Sequence, residues 1–128
     1  MKKADRILHN AIVLTMDGDY NIYDPGAVAI NHDTIIDVGK EKDLLKAYQS
    51  ENLLDCQGKI LMPGLINAHT HVPMTLLRGL ADDLRLDVWL MGYMMPVERE
   101  FVSPEFVSLG TKLACAESIR SGVTTFAD

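Results

Sequence analysis

The chain has few cysteines, no surplus of positive charge and no long apolar run, and each shortage removes a class of protein. Cys56 and Cys115 are the only cysteines among 128 residues, and no Cys-x-x-Cys occurs. A disulfide-stapled scaffold or a thiolate zinc cluster would need closer or more numerous cysteines. Both thiols sit among apolar residues, so free, buried side chains in a reducing cytoplasm are expected. Twelve Lys and Arg stand against 18 Asp and Glu. Phosphate backbones are bound by clustered cations, so no nucleic-acid partner is expected. No stretch approaches the ~20 consecutive apolar residues of a membrane span. The charged opening Met1-Lys2-Lys3-Ala4-Asp5-Arg6 leads into Ile7-Leu8-His9-Asn10 without the apolar core of a signal peptide. The expected setting is cytoplasmic, with no membrane partner.

Apolar residues make up 48% of the sequence, enough for a packed core and too many for a disordered chain. The pattern changes near residue 60. Before it, short branched-apolar runs alternate with turn signals: Ile7-Leu8, Ala11–Thr15, Ala27–Ile30, Thr34–Val38 and Asn52–Cys56, with Lys59–Leu61 at the junction. Asp17-Gly18-Asp19 reads as a turn. Asn31-His32-Asp33 reads as the tip of a hairpin that closes at Gly39. Residues 43–48 make a short helix at most. Residues 1–60 therefore read as a share of a small β-sandwich domain. His9 and His32 have no second ligand nearby in sequence and read as ordinary edge or surface residues.

Residues 61–128 carry the chemistry. The run from Leu61 to His71 reads as a strand covered on both faces that ends in two histidines. Leu65, Ile66 and Ala68 are apolar, Pro63-Gly64 punctuates the start, and Pro73 stops the ladder. Side chains alternate along a strand, so His69 and His71 point one way and Thr70 the other. Two imidazoles so placed can share a metal at a bond length of about 2.0–2.1 Å. His-x-His alone is a common, weak motif. Burying two imidazoles without a partner is costly, which favours the metal reading.

Beyond the pair, Met74–Arg78 suits a turn or two of helix that Gly79 breaks. Asp87 is placed to cap a helix running through Trp89 and Leu90 towards Pro96. Met91, Met94 and Met95 fit either adaptable core packing or an apolar wall over a substrate ring. Ser103-Pro104-Glu105 opens a longer helix with Phe106, Leu109, Leu113 and Ala116 on one stripe, and Gly122 supplies its left-handed stop. Val123–Ala127 reads as a strand. Strand, helical crossover and strand predict a βαβ unit with a parallel pair.

The run Met62-Pro63-Gly64-Leu65-Ile66-Asn67-Ala68-His69-Thr70-His71 resembles the first barrel strand of the amidohydrolase superfamily. Pro73-Met74, Leu76-Leu77-Arg78-Gly79-Leu80-Ala81-Asp82-Asp83-Leu84 and Trp89-Leu90 narrow the resemblance. They are similar to the branch holding S-adenosylhomocysteine/5'-methylthioadenosine deaminases and chlorotriazine hydrolases. The resemblance implies an α/β fold: the N-terminal share of a composite β-sandwich, then the first two βα units of a TIM-type (β/α)8 barrel, incomplete here. It implies one divalent metal on His69 and His71, zinc first, with iron and nickel as alternatives because imidazole suits all three. It also implies a hydrolase of carbon–nitrogen bonds that deaminates an adenosine-type small molecule. Glu98, in Pro96-Val97-Glu98, is the implied acceptor for ribose hydroxyls, with Glu100 as its competitor. A chlorotriazine, guanine or cytosine hydrolase of the same superfamily is the alternative. The zinc deaminases built on His-x-Glu and Pro-Cys-x-x-Cys do not fit, because those cysteines are missing.

A (β/α)8 barrel has eight strands in about 250 residues, whereas this sequence accounts for two. The resembled enzymes take two further histidines, an aspartate and a proton-shuttling carboxylate from later strands. A catalytic zinc usually has three protein ligands plus water. The expectation is thus the N-terminal portion of an enzyme, inactive alone, with weak or no metal binding until a C-terminal segment or companion chain completes it. Self-association into a homo-oligomer is a further option. The reading from another class is a non-catalytic fragment that assembles with a complementary chain.

Overall fold

The longest strands form where branched apolar residues are densest. In the computed structural model, which describes residues 1–128, β2 (Arg6–Leu14) pairs antiparallel with β3 (Ile22–Asn31), and β3 pairs with β4 (Thr34–Lys40). The hairpin between β3 and β4 turns at His32, whose φ is 52°. β1 (Lys2–Lys3) and β5 (Tyr48–Gln49) form a separate parallel pair. β6 (Leu53–Asp55) and β7 (Ile60–Leu61) lie parallel to β2 and complete a five-stranded mixed sheet. These elements form the compact unit Met1–Pro63. Its end falls slightly after the 60/61 division expected from sequence, because Leu61 pairs with Val13 and keeps β7 in the sheet.

The interior of this unit depends on a bulge. The β2–β3 register shifts between Leu8 and Ala11, and Asn10 there has φ 54°. Asparagine tolerates the left-handed region, and one extra residue reverses which face the following side chains occupy. Ile7 therefore packs with Ala4, Ala27, Ala29, Leu44 and Tyr48, whereas Ala11 and Val13 join Leu8 and Val28 on the opposite face. The small Ala27 and Ala29 leave room for α1 (Glu41–Ala47), which buries Leu44. At Gly26 a Cβ would meet the Tyr23 carbonyl oxygen and Val13 Cγ2 at 2.7 Å, so β2 and β3 come together over a bare backbone. The second face stays partly open as a cavity of about 180 Å³ among Leu8, Val13, Val28, Ile30, Val38 and Leu61.

The second unit, Gly64–Asp128, holds the parallel pair predicted from sequence. β8 (Leu65–Asn67) runs beside β9 (Val123–Phe126), with Leu65 opposite Val123 and Asn67 opposite Phe126. Between them come a 3-10 helix over Val72–Leu77, α2 (Leu86–Val88), a π-helical segment over Trp89–Met94, α3 (Met95–Phe101) and α4 (Pro104–Arg120). Proline inside a helix lacks a donor and crowds the carbonyl four residues back. Here the Met95 amide donates to the Leu90 carbonyl five residues back, and the wider turn carries the helix past Pro96. No helix is long and apolar enough to cross a membrane.

Several expectations need correction. Asp87 is not the cap: helix α2 begins at Leu86 after Arg85, and Asp87 pairs with Arg85 at 2.6 Å. β8 is not covered on both faces, since Leu65 and Ile66 are 48% and 73% exposed. Its one strand partner is β9. Of the α4 stripe, Leu109, Leu113 and Ala116 are exposed and Phe106 is half-buried, while the buried position is Gly110. Glycine is needed there because a methyl group would overlap the Pro73 backbone. Cys56 and Cys115 are free, as expected, but half-buried.

The Ser103 cap of α4 stands as expected: its Oγ accepts from the Phe106 amide at 3.1 Å. That bond satisfies one of the orphan donors of the first turn. Ser103→Ala is expected to cost about 1 kcal/mol, within the usual ~0.5–2 kcal/mol for a lost cap. Urea denaturation of the complete protein measures it, and an unchanged midpoint would remove the cap from the account.

Candidate metal centre

His69 and His71 lie just beyond β8, in an irregular segment that links it to the 3-10 helix. Regular pairing stops at Asn67, four residues short of the expected end, so strand alternation alone does not aim the two rings. They nevertheless converge. The ring centroids are 5.6 Å apart with planes at 78°. Two imidazoles bound to one tetrahedral ion through bonds of about 2.0–2.1 Å would have centroids about 5 Å apart. Both side chains are exposed, and neither ring is consumed by a hydrogen bond within the chain. The donor chemistry and the spacing therefore fit a divalent cation. The two residues do not amount to a complete site: no group of three His, Cys, Asp or Glu side chains is placed to hold a metal.

Backbone hydrogen bonds hold this segment. Asn67 Oδ1 accepts from the His69 amide at 3.2 Å, and its carbonyl accepts from Ala127 at 2.9 Å. The His71 carbonyl accepts from Met74 at 3.0 Å. Asp128 Oδ1 accepts from the Val72 amide at 2.7 Å. The positions around the His pair are thus set from both β8 and β9.

A cavity of about 340 Å³ opens beside His71, walled by Met74, Leu77, Trp89 and Met94, with Arg78 and Asp82 also on its lining. Arg78 reaches from the end of the 3-10 helix to α4 and donates to both Glu117 oxygens, at 3.2 and 2.7 Å. Those bonds hold the Glu117 carboxyl below its ordinary range. Of the three methionines singled out in the sequence, only Met94 is buried and lines the cavity; Met91 and Met95 are exposed. Glu98 is half-buried on α3 and is not part of this lining. Sequence reasoning missed Trp89 and Arg78 as wall residues, because neither carries a local signal of what it faces. His9 accepts the bland reading, with Nδ1 at 3.2 Å from Glu41, and exposed His32 stands 3.4 Å from Asp5.

The amidohydrolase family model matches residues 60–128, and the chain belongs to that family. It is 50% identical, over 98% of its own length, to a 5-methylthioadenosine/S-adenosylhomocysteine deaminase of Syntrophobacter fumaroxidans, of which it covers 28%. An adenosine deaminase from Xanthomonas campestris, solved with bound zinc, superposes at a TM-score of 0.92 with 39% identity, over 99% of this chain and 29% of that one. The atrazine chlorohydrolase of Arthrobacter aurescens TC1, complexed with zinc, shares the fold at a TM-score of 0.79 and 24% identity, over 96% of this chain and 28% of that one. The fold is α/β, and the chain spans under a third of the length of these relatives.

Proposed function

We propose that this chain is the N-terminal portion of a zinc-dependent deaminase that converts an adenosine-type substrate and water to the inosine-type product and ammonia. The observation that carries the reading is the convergence of His69 and His71 at the head of the β8–β9 pair. The 50% identity to a methylthioadenosine/S-adenosylhomocysteine deaminase supports the substrate class. In this reading the first unit is a share of a composite β-sandwich and the second opens a (β/α)8 barrel. The open cavity on the sheet supports the first assignment, and the exposure of Leu65, Ile66 and Phe126 supports the second. Apolar surface of that kind is stabilised by cover from later elements.

His69 and His71 donate ring nitrogens to the ion. A ring nitrogen must be free of its proton to coordinate a metal. The bound ion supplies Lewis-acid activation of water at neutral pH. Trp89, Leu77 and Met94 give the cavity beside His71 an apolar side. Glu98 accepts hydrogen bonds from the ribose hydroxyls, and its ionised carboxylate makes these short and strong. Two imidazoles fall short of the usual three protein ligands, so the isolated 128 residues are inactive and need a C-terminal segment or a companion chain.

The test is ammonia release by the complete zinc-loaded protein with methylthioadenosine, S-adenosylhomocysteine and adenosine, beside free adenine. Turnover of the nucleosides is expected, and none on any of the three contradicts the reading. Glu98→Gln is expected to raise KM for the nucleosides at least tenfold, about 1.4 kcal/mol of lost binding, and to leave adenine unaffected. An equal rise for both would remove Glu98 from the ribose site.

A further inference from the structure

We propose that Asp128 is a positioning residue for His71, acting through the Val72 amide; the inference rests on the reading of His71 as a metal ligand. His71 occupies the N-cap position of the 3-10 helix Val72–Leu77, with φ −126° and ψ 76°. A Ser, Thr, Asp or Asn at that position turns back to satisfy the orphan amides of the first turn. The His71 side chain makes no such bond. The Val72 amide belongs to a residue only 3% exposed, and leaving it without an acceptor would carry a full desolvation cost. Asp128 removes that cost from the neighbouring strand: its Oδ1 accepts from Val72 at 2.7 Å across 56 residues of sequence.

The consequence is a division of labour. The carboxylate after β9 caps the helix, so the ring of the residue in the cap position is free to face His69. Asn67 does the equivalent for the other ring by holding the His69 amide at 3.2 Å from within β8. Each histidine is thus fixed through a backbone amide by an oxygen from a different strand. These strands are themselves in register, with Asn67 opposite Phe126 and the Ala127 amide bonded to the Asn67 carbonyl. The separation of the rings therefore follows the alignment of β8 with β9. This is why the pair converges although regular strand geometry stops before it.

The experiment compares Asp128→Ala, Asp128→Asn and His71→Ala in the complete protein. Zinc affinity of each apoprotein is measured by competition with a chromophoric chelator. Asp128→Ala is expected to weaken zinc binding by about 10- to 100-fold, the range seen on losing a residue that orients a ligand. Asp128→Asn keeps an acceptor oxygen and is expected to restore affinity to within a few-fold of the unmodified protein. Wild-type affinity in Asp128→Ala, or an equal loss in Ala and Asn variants, overturns the proposal. Should Asp128→Ala not fold, hydrogen exchange at Val72 in the unmodified apoprotein decides: a protected amide is expected, and a freely exchanging one overturns it. If His71→Ala binds zinc as tightly as the unmodified protein, the ligand reading itself fails. If His71→Ala loses zinc and Asp128→Ala does not, only the positioning role fails.

Discussion

His69→Ala in the complete protein is expected to lose stoichiometric metal and catalytic activity together. Loss of a residue that merely orients a ligand costs about 10- to 100-fold in metal affinity or activity. Loss of a ligand itself should exceed that range, because a structural alanine has no donor to replace the imidazole nitrogen and a catalytic zinc rarely has ligands to spare. Elemental analysis of the purified variant, run beside the ammonia assay, gives both readings from one preparation. His32→Ala is the control, since that ring is 91% exposed and stands in a hairpin turn; it should keep metal and rate. Full metal occupancy in His69→Ala would refute the ligand role, whatever happened to the rate.

The second large effect is expected at a residue with no chemistry. Gly110→Ala should destabilise the complete protein by roughly 1–3 kcal/mol, the usual cost of forcing an extra methyl group into a packed contact. The group that a Cβ would strike is the backbone of Pro73, including its carbonyl oxygen, and backbone cannot rotate away as a flexible side chain can. Relief must come from moving α4 off the 3-10 helix. Pro73 is two residues beyond His71, so the same displacement should lower zinc affinity as well. Gly92→Ala is the matched comparison: nothing lies within 4 Å of a Cβ there, and a helical glycine gains from replacement by alanine. Equal denaturation midpoints for the two variants would contradict the close contact at Gly110.

Much of this was legible in the residues because it depends on local rules. The hairpin around His32, the cap at Ser103 and the left-handed stop at Gly122 are set by the chemistry of one or two side chains. The parallel pairing of β8 and β9 followed from a strand, a helical crossover and a second strand. What failed depended on distant contacts. The α4 stripe reads as a buried face by periodicity, yet Gly110 makes the close approach, and a glycine carries no hydrophobic signal. The cap expected of Asp87 was taken by an ion pair with Arg85. The convergence of the His69 and His71 rings was expected from strand alternation, but regular pairing stops at Asn67. The hydrogen bond from Val72 to Asp128 beside the pair is a contact that no local spacing encodes.

The same limit applies to Glu98. Its place in a Pro-x-Glu sequence motivated a role at the ribose, and its position half-buried on α3 leaves that role to the KM comparison. The cavity walls beside His71 come from the 3-10 helix and the π-helical segment. A π-helical turn is a rare feature that often accompanies function. Here it also has a mechanical cause, since it lets the helix continue through Pro96.

The most direct test of the central claim is anomalous scattering from crystals of the complete, zinc-loaded protein at the zinc edge. The account predicts one strong peak between the rings of His69 and His71, with a nitrogen of each at about 2.0–2.1 Å. A fully occupied zinc bound elsewhere, with either ring turned away from it, would contradict the account.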